Sequence, residues 1–349
     1  YSLPDWYPCF HVTAITHKKK PIYPATIVGI PPQEDAWLGK ATERIFLAPM
    51  KMTMIPEIVD MEMPVEGVFH NLVIAQIHKT FAGQAQKVMS AMWGAGQMMF
   101  NKILVLVDGD ISITHYRELA NYVFSNLNPA TDIAFAQGPM DVLDHSCSKL
   151  GFGGKMCIDG TKKFPEEQDE QYAFQNESFN LDTGLLVQKY PDIKAVNSNL
   201  AKQGIPCLLV SVIKQSKGQI RKLHETLSAE TDGIKLILYV DDSVDPDNLP
   251  VALWRFCNNL DPKRDYVLSE RVLGDKRIAC MGLDGTTKTE ALDGFRRDWP
   301  NIIVADNETI SSIDSKWNEL GLGPFITSPS LAYRDQLFGS EAVAHFDQG

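Results

Sequence analysis

The sequence contains no apolar run that approaches the roughly 20 residues needed to span a bilayer. Its start also lacks the order of charged, apolar and small residues that marks a secretory signal. We therefore expect a soluble, cytoplasmic protein with no membrane span. The six cysteines form no CxxC pair. This spacing favours buried, reduced thiols over a disulfide or zinc framework.

Several catalytic and metal-binding motifs are missing as well. The eight histidines show neither HxH nor HExxH spacing, so the sequence predicts no metal site. GxSxG and GxGxxG are also absent. The 33 basic and 44 acidic residues give a net charge of −11, and the only basic run is Lys18–Lys20. Nucleic acid and anionic membrane surfaces are therefore poor candidates as partners.

The main feature of the 349 residues is an α/β pattern that occurs twice. Each copy has a strand, a glycine that begins a helix, a second strand and helix, and two further strands. Lys102 and Asp108 of the first copy recur at the same spacing as Lys235 and Asp241. Apolar strands such as "KILVLVD" and "KLILYVD" are typical of parallel or mixed sheets that helices cover. We predict a duplicated α/β domain.

The first part of the chain has a different pattern. Alternating β-branched residues predict two strands within residues 9–30, and helical spacing predicts a helix at about 33–48. The first strand begins almost at once, with no methionine before it. Because a strand needs partners for its backbone, we expect further residues to precede Tyr1 in the natural protein.

Two glycines stand where helices are predicted to begin. Gly83 and Gly218 precede helical patterns, and the free N–H groups at a helix start suit an anion. Lys79 or Lys87 would add positive charge at the first of them. The alternative is a plain turn from strand to helix, and repetition of the glycine favours that alternative.

Pairs of acids follow two predicted strands. Asp108 and Asp110 follow the first, and Asp241 and Asp242 follow the second. At the carboxyl ends of strands such acids can hold Mg²⁺, and Mg²⁺-dependent phosphoryl chemistry at Asp108 and Asp110 is one hypothesis. They can equally cap the next helix, and capping is the favoured interpretation.

Further titratable residues lie in "PEIVDMEMPVEG" and in a glycine-rich loop. Glu57, Asp60, Glu62 and Glu66 could include a general acid–base pair, although a solvated strand face is the favoured interpretation. His145 lies in "GPMDVLDHSCSKLGFGGK", a long irregular segment of the kind that often forms a binding loop or lid. For His145 itself a structural role is favoured.

Three segments together are similar to a known family. "FHVTAITHKKKPIYPATIVGIPPQEDAWLGKATERIF", "PEIVDMEMPVEGVFHNLVIAQIHKTFAGQAQKVM" and "KMCIDGTKKFPEE" resemble the UbiD-type decarboxylases, which use prenylated flavin mononucleotide (FMN). The resemblance covers residues 1–167 densely, with the motifs in the family's order. Beyond that, the chain resembles a longer subgroup with an additional C-terminal part.

The resemblance implies a reversible decarboxylation of an aromatic or α,β-unsaturated acid, such as a polyprenyl-4-hydroxybenzoate of ubiquinone or menaquinone biosynthesis. The modified flavin supplies the electron sink, and a carboxylic acid protonates the product. The family's proton donor, its arginine and the ligands of its divalent metal (Mn or Mg) and K⁺ correspond to positions upstream of Tyr1. No catalytic or metal-binding residue is therefore assigned within the chain, which as it stands is not expected to decarboxylate an acid.

The resemblance assigns a few residues of the chain to sites. Lys79, in "HKTF", falls where the family has a lysine near the cofactor phosphate, whereas Lys214 is expected to be scaffold. The segment Pro139–His145 resembles the family's mobile loop, with Leu143 as an apolar contact to the cofactor pocket. Thr26 and Val28 resemble substrate-pocket residues.

The expected fold is α/β, with the end of a split β-barrel flavin domain followed by two duplicated α/β domains. The expected domains are 1–68 (split barrel), 69–165 (first copy), 166–200 (linker), 201–323 (second copy) and 324–349 (tail). The expected partners are a small-molecule acid, a flavin prenyltransferase that supplies the cofactor, and further copies of the chain in a homo-oligomer. The alternative function is a non-catalytic assembly module made of the duplicated units.

Overall fold

The computed structural model describes residues 6–21, 23, 29–173 and 181–346. Residues 6–21 form neither helix nor strand and are exposed. The strand predicted at 9–16 is therefore wrong, because no segment in the described part of the chain pairs with its backbone. Most of the second predicted strand, at 23–30, lies outside the described residues. Among the described helices, none is both long and apolar enough to cross a membrane.

The predicted helix at 33–48 is confirmed and is longer than predicted. This helix, α1, comprises Glu34–Thr53. Glu34 and Asp35 lie in its first turn and Lys51 in its last, where these charges complement the helix dipole. It packs on the first of two α/β units through buried Gly39 and Met50.

The first unit contains a five-stranded mixed sheet. Its strands and helices are β1 (Ile58–Glu62), β2 (Leu72–Ile77), α2 (Gln84–Trp93), β3 (Ile103–Val107), α3 (Tyr116–Asn126), β4 (Ile133–Pro139) and β5 (Phe152–Asp159). The strand order is β1-β2-β3-β5-β4. β2, β3 and β5 are parallel, and both edge strands are antiparallel to their neighbours. The central strands are apolar because helices or the other unit cover both faces.

The second unit has the same strand order, β6-β7-β8-β10-β9. Its elements are α4 (Thr183–Lys189), β6 (Ile193–Asn197), α5 (Asn199–Lys202), β7 (Cys207–Val212), α6 (Gln219–Glu230), β8 (Leu236–Asp241), α7 (Leu249–Asn259), α8 (Pro262–Asp265), β9 (Tyr266–Leu273) and β10 (Lys276–Asp284). Residues 181–200, predicted to be linker, thus supply α4 and the edge strand β6.

The C-terminal part adds α9 (Glu290–Asp293) and α10 (Asn307–Leu320). A 3₁₀ segment, Pro329–Gln336, lies within the predicted tail, 324–349. Phe295, Trp299 and Ala344 form a small core here.

The two units share one apolar core. Leu119 and Val123 of α3 and Ala252 and Phe256 of α7 are buried in a cluster to which both sheets contribute. Separate cores lie on the other faces, under α1 and α2 in the first unit and under α4 and α6 in the second. Each buried leucine-sized side chain contributes about 1.5–3 kcal/mol, so the shared core holds the units together.

Two lysines at equivalent positions of the two units each reach a helix of the other unit. Lys235, just before β8, donates from Nζ to the carbonyl oxygen of Phe124 in the last turn of α3 at 2.6 Å. Lys102, just before β3, places Nζ 3.5 Å from the carbonyl oxygen of Asn258 in the last turn of α7. The last carbonyls of a helix lack intrahelical donors and favour cations. Burial lowers the pKa of Lys235 to about 8.

Acid is expected to destabilise the fold through His224. Its side chain is fully buried, with Nδ1 3.0 Å from the Tyr239 hydroxyl and Nε2 3.2 Å from the carbonyl oxygen of Cys280. Burial lowers its pKa to about 4 from an ordinary 6.5. Above pH 6.5 both folded and unfolded states hold a neutral ring. Between pH 6.5 and 4 only the unfolded state binds the proton, so stability is lost as the pH falls, by about 2 kcal/mol at pH 5.

Urea unfolding at pH 7 and pH 5 measures this loss. His224→Asn should lower the stability at pH 7 but remove about 2 kcal/mol of the pH dependence. His115→Gln, at an exposed histidine, should leave the pH dependence unchanged. An equal pH dependence in all three proteins would contradict the assignment.

Candidate functional site

Lys79 lies at the end of β2 and is almost fully buried. Its Nζ donates to the Thr161 hydroxyl at 2.8 Å, to the Lys162 carbonyl at 2.8 Å and to Glu167 Oε2 at 2.6 Å. The ammonium group thus fixes the "DGTKK" loop that follows β5. Because Thr161 also donates to Asp159 and Lys163 donates to the carbonyls of Asp159 and Thr161, the loop is rigidly bonded.

Lys214 makes the same contacts in the second unit. Its Nζ lies 3.2 Å from the Thr286 hydroxyl, 3.1 Å from the Thr287 carbonyl and 2.7 Å from Asp293 Oδ1. The predicted scaffold role of Lys214 thus fits its contacts, but Lys79 has the same structural task. The role of Lys79 towards a cofactor phosphate remains a prediction.

An anion already occupies the start of α2. Gly83 has φ +79°, which favours glycine, and its N–H donates to Glu167 Oε1 at 2.8 Å. Glu167 therefore takes the position at Lys79 and Gly83 that was predicted to suit an anion. Its pKa is lowered, because the bonds to Lys79 and the backbone outweigh burial, which would raise it. Lys87 instead pairs with Glu57 at 2.5 Å.

The acids after the central strands do not cap the following helices. Asp108 Oδ1 accepts from the Tyr122 hydroxyl at 2.7 Å and from the Lys162 N–H at 2.9 Å. Asp241 likewise accepts from Thr287. The N-cap positions of α3 and α7 are those of His115 and Asn248, so the capping interpretation was wrong. Asp110 and Asp242 are exposed. Among the described residues, no group of three or more acids, histidines and cysteines could hold a metal ion.

Two of the four acids in "PEIVDMEMPVEG", Glu57 and Glu62, are buried rather than solvated. Glu57 pairs with Lys87, and Glu62 pairs with Lys40 of α1 and accepts from the Tyr116 hydroxyl at 2.9 Å. The favoured interpretation, a solvated strand face, was therefore wrong for Glu57 and Glu62. These carboxylates fasten α1 and α2 to the sheet and do not line the pocket that we describe next.

The two units differ in two connections. Residues 94–102 join α2 to β3, whereas only 231–235 join α6 to β8. Similarly, residues 140–151 join β4 to β5, whereas a tight turn at 274–275 joins β9 to β10. The two longer connections of the first unit meet at one pocket.

This first-unit pocket has a volume of about 150 Å³. It lies between α1, the segment before β2, the 3₁₀ turn Gly96–Phe100 and the loop 140–151. Its lining residues are Asp35, Leu38, Gly39, Thr42, Met63, Phe69, His70, Gln97, Met98, Phe100, Asn101 and Asp141. Six of these residues are polar or charged, and five are aromatic or aliphatic. The volume is below the roughly 300–1,000 Å³ of a typical small-molecule pocket, so this pocket fits a part of such a ligand.

Unpaired polar atoms and backbone strain occur at the same place. His70 Nδ1 and Asn101 Oδ1 are buried and have no hydrogen-bond partner within the described ranges. Burial lowers the pKa of His70. Val68 and Phe69 have φ +44° and +45°, which is rare for residues other than glycine and costs about 1–3 kcal/mol each. Such strain is concentrated at ligand sites. The search for sequence motifs missed His70 and Asn101, but a comparison of connection lengths between the copies would have indicated this region.

The predicted loop residues lie close to the pocket. Asp141 lines it and accepts the Leu143 N–H through Oδ1 at 2.8 Å. Leu143 lies at the tip of the loop, with 46% of its surface exposed, and does not line the pocket in the described structure. Thr26 and Val28, the predicted substrate-pocket residues, lie outside the described residues.

The base of the loop is anchored by a buried ion pair. Lys102 Nζ lies 2.8 Å from Asp144 Oδ2, and neither side chain is exposed. Burial opposes ionisation of Asp144, but Lys102 and Ser146 outweigh it and hold its pKa well below the ordinary range. His145 Nε2 lies 3.2 Å from Asn259 Oδ1 of α7. Its contacts are structural, as the favoured interpretation had it.

The chain is similar to known proteins over most of its length. The model of the 3-octaprenyl-4-hydroxybenzoate carboxy-lyase C-terminal domain matches residues 36–160 and 180–289, and that of the Rift-related domain of the same enzyme matches residues 1–31. A protein of Helicobacter pylori strain J99 is 33% identical over 318 residues, which are 90% of this chain and 49% of that protein. A protein of Archaeoglobus fulgidus is 52% identical over 172 residues, 49% of this chain and 36% of that protein.

Two solved structures are also similar. Vanillic acid decarboxylase of Sedimentibacter hydroxybenzoicus is 24% identical with a TM-score of 0.40, covering 45% of this chain and 34% of that chain. The UbiD-class enzyme HmfF of Pelotomaculum thermopropionicum, in complex with FMN, is 23% identical with a TM-score of 0.33, covering 39% and 30%. The chain spans at most about half the length of these relatives. From the family models that match most of its residues, the chain belongs to the UbiD (3-octaprenyl-4-hydroxybenzoate carboxy-lyase) family.

Proposed function

We propose that the chain is part of a carboxy-lyase that reversibly decarboxylates an aromatic or α,β-unsaturated acid with prenylated FMN. A polyprenyl-4-hydroxybenzoate-like acid of quinone biosynthesis is the proposed substrate. The family match supports the reaction class. The observation that carries the location is the first-unit pocket, because two connections that build it, residues 94–102 and 140–151, are much shorter in the second unit. The family match favours this enzyme over a non-catalytic assembly module.

Within the pocket, the residues of this chain have distinct tasks. Phe69, Phe100 and Met98 supply apolar surface that excludes water from an aromatic ring. Asn101 and His70 offer unpaired polar atoms that can orient a bound molecule. Leu143, at the loop tip, is a proposed contact to the cofactor. Thr26 and Val28 are proposed contacts to the substrate. Prenylated FMN supplies the electron sink when it is bound. No residue of this chain is proposed as the proton donor, as the arginine, or as a ligand of Mn, Mg or K⁺.

Lys79 is the residue proposed to bind the phosphate of the cofactor. A buried ammonium group next to the backbone N–H of Gly83 at a helix start is a suitable donor set for a phosphate. Glu167 occupies both donors in the structure. A phosphate at this position would therefore displace the Glu167 carboxylate and take over its two contacts.

Lys79→Ala is expected to lower the affinity of the full natural protein for FMN by at least tenfold, the order of magnitude for the loss of one charge-assisted hydrogen bond. Lys214→Ala is the matched control, because it removes the same scaffold contacts in the second unit. Glu167→Gln should raise the affinity. Fluorescence titration of FMN gives the three constants. Equal affinities in Lys79→Ala and Lys214→Ala would remove Lys79 from the cofactor site.

The reaction itself is tested in the full natural protein loaded with prenylated FMN. Release of CO₂ from a panel of aromatic and α,β-unsaturated acids, with deuterium incorporation from D₂O at the former carboxyl carbon, is the expected result. Absence of both with a loaded cofactor would contradict the proposed activity.

We further propose that the two units arose by duplication. Copies of the whole chain are proposed to assemble into a homo-oligomer. Their identical strand order and their matching lysine contacts support the duplication. The division into a split-barrel part (1–68) and two α/β domains, and the supply of the cofactor by a flavin prenyltransferase, are part of the same proposal.

A further inference from the structure

The loop 140–151 belongs to the first unit, but most of its polar contacts to residues beyond the loop come from outside that unit. Arg297, in the C-terminal part, donates from Nη1 to the carbonyl oxygens of Cys147 at 2.7 Å and Asp144 at 3.3 Å. Arg264 of α8 donates to the carbonyl oxygen of Ser146 at 2.7 Å. Two arginines thus donate to three backbone carbonyls within residues 144–147, a segment that is neither helix nor strand.

Side chains of the second unit and of the C-terminal part also contact the side chains of the loop. Trp299 is buried, and its ring lies 4.5 Å from the ring of His145 in an edge-to-face geometry. The other side of His145 faces Asn259 of α7. Ser146 Oγ lies 3.0 Å from the carbonyl oxygen of Leu260. The loop base is therefore enclosed by the second unit and the C-terminal part together.

The tip of the loop differs from its base. Val142 and Leu143 are 51% and 46% exposed, whereas Asp144, Ser146 and Cys147 are at most 3% exposed. Asp141 precedes the tip, accepts the Asp144 N–H through its carbonyl oxygen at 3.0 Å and lines the first-unit pocket. A fixed base and a free tip would hold Asp141 at the pocket and leave the apolar tip able to move.

We propose that the second unit and the C-terminal part act as a clamp on residues 144–147, with Arg297 and Trp299 as positioning residues for the loop at the first-unit pocket. The second unit would then serve to hold the loop base, a role for which it needs no bound ligand. The clamp concerns the position of the loop and can be tested without the proposed reaction.

Hydrogen exchange of the full natural protein tests the clamp. Arg297→Ala should speed exchange of the amides in residues 143–148 by about tenfold or more, since each arginine bond to a carbonyl restrains local opening. Exchange in the central strands β2 and β7 should not change. Arg296→Ala is the matched control, because Arg296 is the adjacent arginine and its side chain is exposed. No change in residues 143–148, or an equal increase along the whole chain, would overturn the proposal.

A second measurement covers the case in which Arg297→Ala does not fold. Trp299→Leu keeps apolar volume but removes the ring that shields His145. Burial lowers the pKa of His145 to about 4, and nuclear magnetic resonance titration of the variant should show it rising towards 6.5. Trp299→Phe, which keeps an aromatic ring, should keep most of the lowered pKa. An unchanged pKa in Trp299→Leu would mean that Trp299 does not enclose the loop base, and would overturn its positioning role.

Discussion

Lys102→Met is expected to destabilise the protein by about 3–5 kcal/mol, because it leaves the carboxylate of Asp144 buried without its cation. The two groups are 2.8 Å apart, and neither is exposed to water that could replace the lost partner. Ser146 and the thiol of Cys147 would remain as donors to the carboxylate. Equilibrium unfolding in urea at pH 7 measures the change.

Two further variants show whether the unpaired charge causes the effect. Lys102→Met with Asp144→Leu removes both charges and should recover a large part of the stability, since an apolar pair can replace a buried ion pair. Lys162→Met, at an exposed lysine, should stay within about 0.5 kcal/mol of the unmodified protein. If Lys102→Met is as stable as Lys162→Met, the ion pair does not hold the loop base.

Gly154→Ala is expected to cost about 3 kcal/mol, the upper part of the range for overpacking a core. Gly154 lies in β5, directly against α8 of the second unit. A Cβ at this position would stand 2.6 Å from the backbone nitrogen of Lys263 in α8 and would clash with the Asp261 side chain. A backbone atom cannot move aside without moving the whole second unit.

Gly29→Ala is the control for the loss of backbone freedom. Its Cβ would meet the Ile303 side chain at 3.6 Å, an ordinary contact, so we expect a change within about 0.5 kcal/mol. Both variants are compared by urea unfolding, with hydrogen exchange in residues 139–151 as a second readout. If Gly154→Ala is as stable as Gly29→Ala, the contact between β5 and α8 is looser than the structure shows.

The strands and helices of the two units could be predicted because their signals are local. Apolar runs such as Leu72–Ile77, a glycine before each first helix and the repetition of the pattern all act over short distances along the chain. The same local signal failed at residues 9–16, since alternation indicates a strand only where a partner strand is available. It also failed for Glu57 and Glu62, because their buried state depends on lysines elsewhere in the sequence.

The candidate site was predicted only in part. The loop with Leu143 and the position of Lys79 followed from motifs, but the carboxylate of Glu167 at the predicted anion position did not. The unpaired atoms of His70 and Asn101 could not be foreseen either. A sequence pattern gives the residue types near a site, whereas the pairing of each polar atom depends on which side chains arrive there after folding.

The sequence by itself determined the class of the fold, the presence of two α/β units with matching residues and the family to which the chain is similar, because these depend on composition and on short-range order. The tertiary structure alone decided that the two longer connections of the first unit meet at one pocket and that Arg297, Arg264 and Lys102 converge on the loop beside it. Residues as far apart in the chain as Lys102 and Arg297 become neighbours only when the two units bury their shared core, and no pattern along the chain encodes that contact.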